Sequence, residues 1–451
     1  MTIDCFTRPG CVQLVHDSEE QAEADMVALH ELYKMGLLDY TIICPKAPTI
    51  GAVVIVDAFS SGANMAAMLS EWGYRLVLVF SEKESPIASL VSMGTNLEPT
   101  LVIQHDAVAR NQEEALTATL KEIENCGSPV LAILPGTETG VELADRLASR
   151  FRTRTNGEID ARKRRDKFLM QESVRKAGLR AMHQKLCLSE QDIVDFYAAL
   201  PEPKICVVKP NESAGSDSIF RCSSVQEAVK AFNSIHGKVN GLGQFNKGAL
   251  AQEFLDGTEY VIDGVSRDGV YKVTAIWRYD KRNINGADFV YFGMHICDGN
   301  GFKEESMIAY AERVNKALGI VQGPSHMELI WSGDGPCLVE VGARVHGGEG
   351  TWLPVAKECV GYTQVDVTLN AYLRPELFDE IPPFPTLLKK GAEVFLVSLE
   401  SVVGKTGSVL KSIPGVDEIA DFSSFRRMEL LTQPGQVVHP TVNCFTRPGS
   451  V

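Results

Sequence analysis

The stretch that most constrains this chain begins at Ala52. AVVIVDAF (residues 52–59) is an unbroken apolar run, SSG (60–62) is a small-residue turn, NMAAMLSEWGY (64–74) has helical spacing, and RLVLVF (75–80) is a second apolar run. Strand, tight turn, helix and strand in this order form the unit of a parallel sheet covered by helices. TLVIQH and PVLAILPG add two more strands, and TGVELADRLASRF reads as a helix after the second. Together they predict a small doubly wound α/β domain over residues 46–155. The SSG turn sits where a phosphate can meet a helix N-terminus, although such turns are common as plain chain reversals.

Downstream the pattern becomes mixed. A basic helix is predicted from about Asp160 to Ala177, with Asp160 or Asn156 as its cap and Gly178 just past its end. The strand ICVVKP, the glycine–serine loop NESAGSDSI, the helix SVQEAVKAFNSIHG and the strand LAQEFLDG follow. A long antiparallel section then leads through the helix MIAYAERVNKALG to two strands, SHMELIW and CLVEVGAR, joined by the turn SGDGP. The helix QVDVTLNAYL and the proline-rich break PPFPTLLKKG precede a β-rich tail. The resulting division is a pre-domain at 46–155, a larger α+β domain at 156–380 and a C-terminal β-rich lobe at 381–451. One segment repeats, TIDCFTRPGCV (2–12) recurring as TVNCFTRPGSV (441–451). A single repeated segment is not a solenoid. It reads as a module boundary, with residues 1–45 resembling the tail of a preceding copy.

Composition excludes several partners. With 451 residues, 45% of them apolar and 23% charged, the chain has the make-up of an ordinary soluble protein of two or three domains. A net charge of −14 argues against nucleic acid, whose phosphates need a basic face. No apolar run reaches the roughly 18 residues of a membrane span, and the N-terminus lacks a signal-peptide pattern. No membrane association and a cytoplasmic location are therefore expected. The eleven cysteines form no CxxC pair and no metal-ligand spacing, so most are expected to be small buried hydrophobes.

The residues that carry chemistry flank SGDGP. A hairpin centred on Asp334 places Glu328 and Glu340 opposite each other. Directly opposed like charges destabilise a sheet unless a cation sits between them. Alternation puts His326 on the face of Glu328, and Gly342 and Arg344 on the face of Glu340. Two carboxylates facing substrate phosphates suit magnesium, and Arg344 could grip a phosphoryl or carboxylate group. Upstream, Lys209 ends a strand just before the loop Ser213, Ala214, Gly215 and Ser216, whose backbone N–H groups could close on a triphosphate. In QEFLDGTEY an apolar linker could face an adenine edge, with Glu259 placed to accept hydrogen bonds from a ribose.

Taken in order, DKFLMQESVRKAG, VVKPNESAGSDS, QEFLDGTEY, MELIW and LVEVGAR resemble the ATP-grasp superfamily over roughly residues 50–440. The resemblance implies an ATP cleft between two α+β subdomains. Lys167 and Lys209 match the phosphate-binding lysines, Gln252, Glu253, Phe254 and Leu255 the adenine hinge, and Glu259 the ribose acid. Glu328 and Glu340 match the metal carboxylates, for Mg2+ or Mn2+, and Arg344 the arginine near the transferred phosphoryl group. Many members carry an asparagine where this chain has Gly342; water or Asn211 are then candidates for the third ligand. The Glu-x-Gly-x-Arg form looks like the L-amino-acid ligase branch.

The implied reaction joins a small-molecule carboxylate, such as an amino acid, to an amine. ATP would activate the carboxylate as an acyl phosphate, with the small-residue loop as a lid. Candidate substrate residues are Arg278, Lys281 and His295, in a segment with Arg282 expected to border the cleft, and His346 and Glu349 just after the metal strand. Two alternatives stand beside this reading. One is an ATP-grasp enzyme that phosphorylates or thioesterifies another acceptor; the other is a non-catalytic nucleotide-binding module of a multimodular protein. A homodimer, or contact with neighbouring modules of the same chain, fits either architecture.

Overall fold

The computed structural model describes residues 51–82, 97–213, 215–413 and 415–451. The segment at 1–45, the N-terminal copy of the repeat and Ala214 lie outside the described residues. The first sheet is parallel, with strands β1 (Ala52–Val56), β2 (Arg75–Phe80), β3 (Leu101–Gln104) and β4 (Val130–Pro135) in the order β3-β2-β1-β4. Every residue of β1 is fully buried, and alternate side chains enter different cores. Val53 and Ile55 share a core with Met65 and Leu69 of helix α1 (Ser61–Glu71). Val54 and Val56 share another with Leu116 and Ile123 of α2 (Gln112–Glu124) and Leu147 of α3 (Val141–Phe151). Burial on both faces is why β1 reads as a continuous apolar run.

The basic helix is shorter than its sequence suggests. A 3-10 turn, Ala161–Arg164, precedes α4 (Lys167–Lys176), and the cap is Asp166, whose Oδ1 accepts the Leu169 N–H at 2.9 Å. Lys167 therefore stands at the first position of α4. Asn156, one of the expected caps, instead accepts the N–H groups of Val321 and Gln322, each at 2.8 Å.

A four-stranded antiparallel sheet follows, β5 (Gln184–Cys187), β6 (Cys206–Lys209), β7 (Phe220–Cys222) and β8 (Ala249–Glu253), in the order β5-β8-β6-β7. The helices α5 (Glu190–Ala199) and α6 (Val225–Ile235) share a core with it. The largest sheet contains β9 (Thr258–Arg267), β10 (Val270–Ile284), β11 (Ala287–Cys297), β12 (Gly323–Ser332), β13 (Gly335–Gly342) and β14 (Ala392–Leu396). One face of it packs Ile262, Val273 and Met327 against Met307, Val314 and Leu318 of α7 (Phe302–Leu318) and Met170 of α4. The opposite face places Val261, Trp277 and Met294 in one core with Trp352 and the α1 side chains. Of the short strands in the tail, β15 (Ser408–Val409), β16 (Glu429–Leu430), β17 (Val437–Val438) and β18 (Gly449–Ser450), the last pairs with both β14 and β16. The C-terminal copy of the repeat thus joins the large sheet between β14 and β16.

Glu328 and Glu340 are register partners, for a reason the sequence does not display. The turn consists of Gly333 and Asp334, so the pairs nearest it, Ser332–Gly335 and Trp331–Pro336, are centred half a residue before Asp334. A bulge at Val339 then shifts the register and brings Glu340 opposite Glu328. Without it Glu340 would oppose Met327, on the face covered by α7.

The SSG turn is consumed by a loop contact. The Ser61 hydroxyl donates to the Gly347 carbonyl at 3.0 Å, and the Glu349 N–H donates to Ser60 Oγ at 2.9 Å. The close approach of α1 to the end of β4 needs two glycines. A Cβ on Gly62 would lie 2.5 Å from Gly136 Cα, and one on Gly136 would collide with the Asp57 carbonyl oxygen. Gly136→Ala is expected to destabilise the fold by roughly 1–3 kcal/mol, the usual cost of overpacking. The midpoint of thermal unfolding checks it, and an unchanged midpoint would contradict the close packing.

Candidate active site

Two cavities meet at the β12–β13 hairpin. The first, of about 380 Å³, lies between the four-stranded sheet and the large sheet. Lys209 ends β6 inside it and is 4% exposed. Burial pushes its ammonium down to about 8, although Glu340 pulls the other way. The Lys167 ammonium donates to the Ser213 carbonyl at 2.6 Å and pairs with Glu340 at 2.9 Å. The Ser213 hydroxyl donates to Asp217 at 2.8 Å, and Gly215 and Ser216 turn the loop through left-handed backbone, with φ of 70° and 61°. Asn211 is committed elsewhere, its Oδ1 accepting the Phe168 N–H at 3.0 Å to hold the start of α4.

Gln252, Glu253, Phe254 and Leu255 line the same cavity. The Phe254 N–H donates to the Ile205 carbonyl at 3.2 Å, and the Arg221 guanidinium lies 4.8 Å over its ring. Glu259 also lines it, but its Oε1 accepts from Lys281 at 2.6 Å. Lys281 lies 3.8 Å from Glu328 as well, and over the rings of Tyr279 and Tyr291 at 4.9 and 4.3 Å. Burial raises the Glu259 carboxyl. Burial opposes ionisation of Glu328 too, yet Lys281 and His326 outweigh it and hold that carboxyl well below the usual range. Lys281 therefore belongs to the carboxylate cluster of the first cavity, not to a separate substrate subsite.

The second cavity, about 360 Å³, shares Gly215, Tyr279, Tyr291, Glu328 and Glu340 with the first. Arg344, His346 and Glu349 line it, together with Ser60, Ser61 and Glu138 at the end of the parallel sheet. Arg278 and His295, directly paired on β10 and β11, are both exposed and line neither cavity. The segment alternates, so its inward residues are Trp277 and Tyr279, one position away. Arg282 pairs with Asp280 at 2.6 Å on the exposed part of β10.

Three features of this cavity were not singled out by the sequence. Glu138 links two guanidinium groups, Arg165 at 2.8 Å and Arg344 at 2.9 Å. Burial opposes its ionisation, but Arg165 and then Arg344 hold its carboxyl below the ordinary value. Gly342 permits the arrangement, because a Cβ there would sit 2.5 Å from Glu138 Oε2. Asp263 takes the Nδ1 groups of His326 and His346, one on each oxygen at 2.8 Å, and the Trp277 indole N–H at 2.8 Å. Burial pushes His346 down to about 4; burial opposes the charged form of His326 as well, but Asp263 outweighs it and raises that imidazole. The three ligand atoms lie within 4.8 Å of one another, but each is engaged in a hydrogen bond, which describes a fixed polar network rather than a metal centre. The third is Arg447 from the repeated segment, which also lines the cavity. An acid in GTETG after a parallel strand and an acid inside the apolar run YVIDGV were the available signals for the first two.

A family model described as an ATP-grasp domain matches residues 202–352. Dapdiamide A synthase from Enterobacter agglomerans is 30% identical over 327 residues, covering 72% of this chain and 74% of that protein. Alanine–anticapsin ligase from Bacillus subtilis is 24% identical over 362 residues, covering 76% and 71%. The structure of an L-amino acid ligase from Bacillus licheniformis superposes with a TM-score of 0.66 at 19% identity, over 90% of this chain and 93% of that one. The chain belongs to the ATP-grasp superfamily. Within it, the protein is an ATP-dependent carboxylate–amine ligase. No described helix is long and apolar enough to cross a membrane.

Glu138 supplies a test of the electrostatics. Its folded carboxyl is depressed from the ordinary 4.5. The stability it contributes is therefore present above the unfolded value and is lost as pH falls through the folded one. Glu138→Gln is expected to cost roughly 3 kcal/mol at pH 7, where it strands two guanidinium groups. The gap in thermal midpoint between wild type and variant should narrow below about pH 4.5. An equal gap at pH 7 and pH 3.5 would contradict the ion-pair assignment.

Proposed function

We propose that the first cavity binds ATP and the second an amino-acid carboxylate, and that the enzyme transfers the terminal phosphoryl group of ATP to that carboxylate, giving an acyl phosphate and ADP, before amide formation. The observation that carries this reading is the shared wall. Glu328 and Glu340 border both cavities, so a nucleotide with its phosphates toward Lys167 and Lys209 would end where the second cavity begins.

Lys209 and Lys167 hold the phosphates, and the backbone of Gly215 and Ser216 closes over them. Gln252, Glu253, Phe254 and Leu255 form the edge against adenine, and Glu259 takes the ribose once Lys281 shifts toward Glu328. Two opposed carboxylates with oxygens in the cavity are a donor set that suits a divalent cation, Mg2+ by its preference for carboxylate plus phosphate oxygen. When bound there, such a cation neutralises charge on the phosphate oxygens. Arg344, oriented by Glu138, aligns the substrate carboxylate with the terminal phosphate and stabilises charge on the transferred group. The carboxylate oxygen attacks phosphorus and ADP leaves; the amine then adds to the acyl carbon and phosphate leaves. His346 and Glu349 shape the wall around the acyl group, and the small-residue loop excludes water. A dimer, or packing against further modules, is compatible with this placement.

ADP release with amino acids offered in pairs, with Mg2+ and mass measurement of products, tests the reading. ADP formation is expected to require both partners, with a product equal to their summed mass less one water. ADP formed with one acceptor alone, and no amide, would favour phosphorylation or thioester formation. Glu340→Gln is expected to lower turnover by about 10²-fold or more; unchanged ADP production would remove the metal role from Glu340.

A further inference from the structure

Asp263 fixes which nitrogen of His346 carries hydrogen. Burial opposes ionisation of Asp263, but His346 and His326 outweigh it and hold its carboxyl well below the usual range. An ionised carboxylate only accepts hydrogen bonds, so the Nδ1 atoms of His326 and His346, each 2.8 Å from one of its oxygens, both carry hydrogen. Burial keeps His346 neutral, against the pull of Asp263 on β9 and with the help of His326 on β12 and of Arg344. The lone pair of its ring is therefore on Nε2.

That lone pair is available. His326 has its own Nε2 3.7 Å from Glu328 Oε1, whereas His346 Nε2 has no hydrogen-bond partner among the described residues. Nor is it enclosed: the enclosed side-chain nitrogens that lack a partner are Arg164 Nε and Arg447 Nε, and His346 lines the second cavity. The ring is also held in place. Trp352 stacks on it with centroids 5.1 Å apart, and the Trp352 indole N–H donates to the His346 and Gly347 carbonyls at 3.2 and 2.9 Å. The His346 N–H donates to Gln364 Oε1 at 2.7 Å. Other acids of the wall are engaged, Glu138 with two guanidinium groups, Glu328 and Glu340 with lysines. Burial pushes the Cys444 thiol up to about 11.

We propose that His346 is the proton acceptor for the incoming amine, its Nε2 freeing the nitrogen lone pair that attacks the acyl phosphate. The inference rests on the ligase reading above. The substrate ammonium gives up two protons in amide formation. The first passes to Nε2, and Asp263 stabilises the resulting imidazolium through Nδ1. The freed lone pair forms the C–N bond and the bond from the acyl carbon to the phosphate oxygen breaks. Phosphate departs with that electron pair and takes the second proton. The imidazolium then returns its proton to water.

Hydroxylamine separates this role from others, because it is already unprotonated at neutral pH and attacks acyl phosphates without a base. The test uses MgATP and a saturating acid partner, with either an amino acid that stimulates ADP release or hydroxylamine as nucleophile. His346→Asn keeps an amide N–H for Asp263. It is expected to lower amide formation from the amino acid by about 10²- to 10⁴-fold at pH 7, the usual span for loss of a positioned base. Hydroxamate formation should stay within a few-fold of wild type, and the amide defect should shrink at pH 9, where more of the amine is free. His346→Gln should behave alike, and thermal melts in MgATP confirm that each protein is folded. A folded variant that loses hydroxamate and amide formation equally, or loses neither, would overturn the proposal while the ligase reading stands. So would a hydroxylamine-relieved defect found in Glu349→Gln and not in the His346 variants. Wild type that forms neither amide nor hydroxamate would overturn the ligase reading itself.

Discussion

Two carboxylates opposed across a hairpin repel each other, and much of this molecule is arranged to hold them there. Glu340 is paired by Lys167 from the start of α4, and Glu328 by Lys281 from β10, which also holds Glu259. His326 and Asp263 extend the compensation behind Glu328. Each counter-charge comes from a different element, so the helix that carries Lys167 and the sheet that carries Lys281 are drawn to one point. A nucleotide's phosphates and their cation can replace some of these pairings. On the proposed reading the charges of the nucleotide site are already in place, which lowers the reorganisation needed during phosphoryl transfer.

The second cavity depends on a different constraint, close backbone approach. Gly62 and Gly136 let α1 meet the end of the parallel sheet, and Gly342 lets Glu138 reach Arg344 from that sheet. The loop after β13 is tied back through Ser60 and Ser61. Three separate parts of the chain, the parallel sheet, the β12–β13 hairpin and the C-terminal strand, therefore each contribute a wall. The C-terminal copy of the repeat contributes both β18 and Arg447, and it is bonded to the small-residue loop at Gly215.

Much of this was legible in the sequence, unevenly and for physical reasons. β1 could be read because burial on both faces leaves an unbroken apolar run. The pairing of Glu328 with Glu340 was also legible, though the symmetry about Asp334 gave the right partner through a bulge at Val339 that no local signal announces. The cap of α4 was misplaced because the 3-10 turn before it is as basic as the helix itself. Arg278 and His295 were expected at the cleft because their segment borders it; the strand period places them on the exposed side. Glu138, Asp263 and Arg447 were hidden because their partners lie far along the chain, and sequence spacing carries no trace of such contacts. Lys281 was read as a candidate substrate residue; its two acids, Glu259 and Glu328, come from other strands, so the pairing could not be read from the sequence.

On the proposed reading the substrate carboxylate meets the terminal phosphate of ATP where the two cavities join at Glu328 and Glu340. Transfer of oxygen isotope reads this directly. With the carboxylate of the acid substrate labelled in both oxygens with ¹⁸O, an acyl phosphate carries one labelled oxygen to phosphorus and leaves the other in the amide. The account predicts one ¹⁸O atom in each phosphate released during amide formation, detected by mass spectrometry of the phosphate. Phosphate released without label during productive turnover would contradict it.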